Sequence, residues 1–214
     1  AVSAALTSPR SSGSLGSPES IHHVLSTAAL TSMVMLAMGI AATAGEYRHS
    51  TSIPTFLITP RRRNVILAKL LTIGLVGGVL GAITFGLSVA AAVPALSSKG
   101  VHHLAGDTAQ MWIGCAVVSA AYGALGTAIG ALARSTVVAM VAAFTWAYFI
   151  EAAFLDTAFP SLGKWLPTGA NIAITHTTDH PGDLLAPSAA VIVLALWTAV
   201  LTLTALRLAT RRDV

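Results

Sequence analysis

The chain has 214 residues, of which 55% are hydrophobic and only 9% charged, with a mean hydropathy of +0.77. An ordinary soluble domain carries roughly a quarter charged residues, so this composition excludes a water-solvated globular enzyme and indicates an integral membrane protein. The net charge of +4 would favour nucleic acid in a soluble protein. In an apolar chain its placement along the sequence matters more, and no nucleic-acid partner is expected.

Residues 1–21 are rich in Ser, Gly and Pro and read as a polar outer loop, without the basic start and short apolar core of a signal peptide. Five apolar stretches follow, each near the twenty or so residues that a helix needs to cross a bilayer: 23–45, 70–93, 111–133, 136–154 and 186–206. The fold expected is therefore an all-α membrane bundle of five spans forming a single domain. The third and fourth spans are joined only by Arg134 and Ser135, which makes them antiparallel neighbours. Small-residue pairs punctuate the second span (Gly74 with Gly78, Gly77 with Gly81) and the third (Gly126 with Gly130), the spacing that lets helix backbones approach. Internal packing is the favoured use of these pairs, a seam between copies the other.

Basic residues set the orientation. With 46–66 placed inside, Arg48, Arg61, Arg62, Arg63, Lys69, Arg134, Arg207, Arg211 and Arg212 all fall on the cytoplasmic side, leaving Arg10, Lys99 and Lys164 outside. The Ala1 side then lies outside and the Val214 side in the cytoplasm of a bacterial inner membrane. A polar outer loop must be carried across by something, so a further helix is expected to precede Ala1, giving six spans in all.

Between the first two spans, Pro54 suits a first helical turn and Pro60 disfavours helical geometry at Thr59. Ile53, Phe56 and Leu57 recur at helical spacing, so a short amphipathic helix is expected at the inner surface. It either caps the bundle at the headgroups, with Arg61 to Arg63 on anionic lipid, or docks a cytoplasmic partner.

The run Gly45-Glu46-Tyr47-Arg48-His49-Ser50-Thr51, then Thr55-Phe56-Leu57-Ile58-Thr59-Pro60-Arg61-Arg62-Arg63 and Leu67-Ala68-Lys69-Leu70, resembles the permease subunit of ABC transporters of the type-2 exporter class. Ser50 stands where that family usually has Gly. Leu166-Pro167-Thr168-Gly169-Ala170 is similar to the family's motif before its last span, and 155–185 to its pair of short outer helices. The resemblance implies a coupling helix at Ser52, Ile53, Pro54, Thr55, Phe56, Leu57 and Thr59, seated on a separate ATP-binding cassette subunit. It implies gate or interfacial roles for Glu46, Tyr47, Arg48 and Thr51, with Glu46 to Arg48 on a neighbouring gate helix. It also implies a second permease copy or a related permease as partner. The function expected is ATP-driven export of a hydrophobic or amphipathic compound such as a drug, peptide or lipid.

The chain has no phosphate loop of the G-x-x-x-x-G-K-[ST] kind, so ATP and Mg belong to the partner ATPase and no cofactor is expected on this chain. Glu151 is the one acid well inside an apolar stretch, about 22 Å above the inner end of its span at 1.5 Å per residue. It either snorkels outward or, with Trp146 and Phe149, lines a substrate or exit path. No catalytic or metal-binding residue is assigned. His176, Asp179 and His180 have metal-ligand spacing but sit among Thr, Pro and Gly and read as a solvated loop. Cys115 is the only cysteine and reads as a small apolar residue within a span. An intramembrane enzyme, an ATP-independent transporter and a lipid-binding scaffold are the competing classes. The first lacks a convergent nucleophile and base, and the second lacks coupling acids near the midplane.

Overall fold

The computed structural model describes residues 30–48, 62–97, 108–133, 135–151, 160–175 and 184–211. All regular structure among them is helical: α1 (Leu30–Arg48), α2 (Arg62–Ser97), α3 (Thr108–Ala133), α4 (Thr136–Thr145) continuing as a π-helical turn over Trp146–Glu151, α5 (Pro160–Gly163), α6 (Pro167–Thr175) and α7 (Pro187–Arg211). Among the described residues, three helices are long and apolar enough to cross a membrane, at Asn64–Ala90, Ala109–Ala133 and Pro187–Leu208. Thr136–Glu151 is a shorter apolar helix.

The outer faces say what surrounds these helices. Leu71, Leu75, Val79, Ile83 and Leu87 of α2, spaced by four, are all exposed, as are Ile192, Leu196, Val200 and Leu203 of α7. Water would penalise such continuous apolar stripes at roughly 25 cal/mol per Å² of apolar surface, whereas lipid tails do not. Inside, Ala44, Ala124, Ala128, Ala139, Ala143, Ala170, Ala173, Ala190 and Ala205 are buried among larger side chains such as Met35, Ile40, Phe85 and Leu194. Small residues at so many buried positions let helix backbones approach closely, as expected where exclusion of oil from water does not drive helices together.

α3 is the centre of the bundle, with α1 and α2 packed along it and α6 and α7 against its other sides. Glycine explains the closeness. A Cβ on Gly126 would collide with the Leu36 carbonyl oxygen and lie 3.0 Å from Leu36 C and 3.1 Å from Ile40 N, all backbone atoms of α1. On the other side of α3, a Cβ on Gly81 of α2 would lie 2.6 Å from the Cys115 carbonyl oxygen, and one on Gly77 2.6 Å from that of Ser119. The small-residue pairs therefore serve packing within the chain. Cys115 is buried at that contact, as its apolar reading anticipates.

Several boundaries differ from those read from the sequence. α1 runs through Gly45 to Arg48, so Glu46, Tyr47 and Arg48 belong to it, three residues past the apolar stretch 23–45. A Cβ on Gly45 would meet nothing within 4 Å, and the residue does not break the helix, because the backbone hydrogen-bond ladder needs no side chain there. α2 begins at Arg62, eight residues before the apolar stretch, so Arg62, Arg63 and Lys69 belong to its first turns. It also continues through Pro94 to Ser97, four residues past the expected end.

Candidate functional site: a buried carboxyl group beside an apolar cavity

α4 opens after Ser135, whose backbone is extended and whose carbonyl oxygen accepts the Ala139 N–H at 2.9 Å. Along it Ala139, Ala143, Ala147 and Glu151 are buried. Steps of four residues drift around a regular α-helix, and over twelve residues the drift is about 120°. The wider π turn over Trp146–Glu151 winds back much of that angle and keeps Glu151 on the inward face. Its side chain is 1% exposed, so the outward-snorkelling alternative does not describe it. Phe149, by contrast, is 73% exposed and faces away from the bundle. Trp146 is half-exposed and borders the cavity described below.

The carboxyl group meets the start of α6. Leu166 occupies the capping position there, its carbonyl oxygen accepting the Ala170 N–H at 2.9 Å, but its side chain cannot accept a hydrogen bond. Pro167 fills the first helical position, where its missing N–H costs nothing. The Thr168 N–H that follows is one of the donors left unsatisfied at any helix start, and it donates to Glu151 Oε2 at 2.6 Å. Glu151 thus caps a helix that begins sixteen residues later in the chain, its carboxyl oxygen standing at the positive end of the helix dipole. The Trp146 and Thr168 side chains also adjoin this carboxyl group, and no cation among the described residues does.

Behind it lies a buried polar cluster that sequence reasoning alone misses. Tyr122 of α3 is 2% exposed, and its hydroxyl lies beside the Thr168 and Asn171 side chains without a hydrogen bond of good geometry. Asn171 Nδ2–H donates to Ser32 Oγ of α1 at 3.2 Å, and the Thr175 hydroxyl donates back to the Asn171 carbonyl oxygen at 2.8 Å. One polar thread so runs from α4 through α6 and α3 to α1. The available sequence signals are the one tyrosine in a largely apolar span and an asparagine four residues after a proline.

Beside the cluster is a cavity of about 340 Å³, walled by carbon from Leu36, Leu125, Ala143, Ala147, Trp197 and Leu201, with Glu151, Tyr122 and Thr168 at its polar side. Trp197 of α7 is fixed by its indole N–H, which donates to the Trp165 carbonyl oxygen at 2.9 Å.

At the other end of α1, Glu46 forms an ion pair with Lys69 of α2, and Lys69 Nζ also lies 3.5 Å from the Ala42 carbonyl oxygen. Both side chains are partly exposed. The pair ties together the two helices that flank the inner segment. Tyr47 and Arg48 lie in the last turn of α1, and their side chains are outside the described residues. So are Thr51 and the whole stretch Ser52, Ile53, Pro54, Thr55, Phe56, Leu57 and Thr59, together with His176, Asp179 and His180.

No family model, curated protein or solved structure matches this chain.

Proposed function

We propose that the chain is the membrane-spanning permease subunit of an ATP-driven exporter, moved by a separate ATP-binding subunit. The observation that carries this reading is the segment between the first two spans: the Glu46-Tyr47-Arg48 run, the Pro54 to Pro60 stretch and the triple arginine in family order. The helical architecture supports it, with three helices fit to cross a membrane and a further apolar helix in α4. So does the Glu46–Lys69 pair, which joins the two helices on either side of that segment. A force applied to residues 52–59 would enter both at once. A second permease would complete the path, since one bundle of five or six helices encloses too little space for a path of its own.

The class is tested by affinity purification from native membranes with identification of what is recovered. An ATP-binding subunit is expected; repeated recovery of the intact chain without one removes the exporter reading. Phe56→Asp or Leu57→Asp should uncouple substrate-stimulated ATP hydrolysis from transport while the bundle remains folded. Unchanged assembly and unchanged stimulated hydrolysis would remove the coupling role from residues 52–59.

A further inference from the structure

We propose that the cavity beside Glu151 is a binding site for a lipophilic organic cation, its apolar body against the carbon walls and its cationic end on the Glu151 carboxyl group. The walls exclude most other classes. An anion would find no cation among the described residues at this carboxyl group, in surroundings of low polarity where an unpaired charge is costly. A wholly apolar ligand would fill the space but press hydrocarbon onto a buried carboxyl group that already has no cation among the described residues. A polar, strongly hydrated cation would give up its water to walls that are nearly all carbon. A cation with an aromatic or aliphatic body matches both parts of the site, and Trp146, Trp197 and Tyr122 supply aromatic rings at its border.

The route of entry agrees. α4 and α7, which both line the cavity, barely touch one another. Ala142 and Trp146 at the α4 edge are exposed to the surroundings of the bundle, where the apolar outer stripes place lipid. A lipophilic cation partitions into a bilayer and reaches such a side opening without crossing water. About 340 Å³ falls within the range of small-molecule sites.

This names the substrate class of the exporter and rests on that reading for its role in transport; the binding itself is measured without the ATPase. The protein is purified in maltoside micelles and equilibrium dialysis is run with radiolabelled benzyltrimethylammonium. The same is done with neopentylbenzene, its uncharged carbon isostere. Saturable binding of the cation, tighter than that of the isostere, is expected. Glu151→Gln, which keeps an acceptor for the Thr168 N–H, should weaken the cation at least about tenfold and leave the isostere unchanged. Ala142→Trp, at the exposed edge, should reduce both. The proposal is overturned if the isostere binds the unaltered protein as tightly as the cation, if no saturable cation binding occurs, or if Glu151→Gln binds the cation normally. The first comparison uses unaltered protein, so it stands even where a variant folds poorly. Recovery of the ATPase is scored separately, so a failed export reading and a failed binding site are told apart.

Discussion

Replacing Gly126 by alanine tests whether backbone contact sets the spacing of the bundle. The added methyl would collide with the Leu36 carbonyl oxygen and crowd Leu36 C and Ile40 N, at 3.0 and 3.1 Å, where ordinary contact begins at 3.4 Å. Every one of these atoms belongs to the α1 backbone, so no side-chain rotation relieves the clash and the helices must part. Inserting one methyl into a well-packed interior costs about 1–3 kcal/mol. Alanine also favours helix over glycine by up to about 1 kcal/mol, which would mask part of that loss. Gly86→Ala on α2 supplies the reference, because Gly86 is exposed and a Cβ there meets nothing within 4 Å. Both variants share the propensity gain, and their difference isolates the steric cost. Reversible unfolding in mixed micelles of sodium dodecyl sulfate and a mild detergent should place Gly126→Ala about 1–3 kcal/mol below Gly86→Ala. A difference under about 0.5 kcal/mol, within the usual scatter of harmless surface changes, would refute the claim that α1 and α3 meet backbone to backbone.

Two further outcomes follow from the polar contacts. Glu151→Leu leaves the Thr168 N–H without its acceptor in an apolar setting, and should destabilise the protein by about 1–3 kcal/mol relative to Glu151→Gln in the same unfolding assay; equal stability of the two variants would show that the cap is not needed. Glu46→Gln, at a partly exposed pair, should cost at most about 1 kcal/mol, with a coupling energy to Lys69→Met of similar size in a double-mutant cycle. A coupling near zero would show that the two helices are held without it.

The sequence is most informative where the physics is local. Apolar length locates the helices, and Pro160, Pro167 and Pro187 each open one, as a residue without an N–H should. Gly77, Gly81, Gly126 and Gly130 announce close packing by their spacing, yet which surface each meets depends on helices far away in the chain. Glu151 shows the limit clearly. Its depth in an apolar stretch marks it for attention, but its partner is the Thr168 backbone N–H, a group every non-proline residue has. The π turn that aims it inward leaves no pattern in composition. Tyr122, Asn171 and Ser32 escape notice because they lie in three different segments among other scattered polar residues, and only the packing of α1, α3 and α6 makes them one cluster. Apolar length alone ends the first stretch at Gly45 and leaves Glu46 to Arg48 beyond it. α1 runs on through them, and Glu46 there pairs with Lys69 of α2, a contact that sequence spacing does not announce.

The interlocking of α1, α2 and α3 has a mechanical corollary. Helices that touch through side chains can slide by exchanging rotamers, but helices seated in each other's glycine notches must first climb out of them. The three therefore travel as one stiff block, and a push at either end is delivered at the other with little lost to bending. Compliance is left to the loosely apposed flank between α4 and α7, which is where the bundle would yield under load.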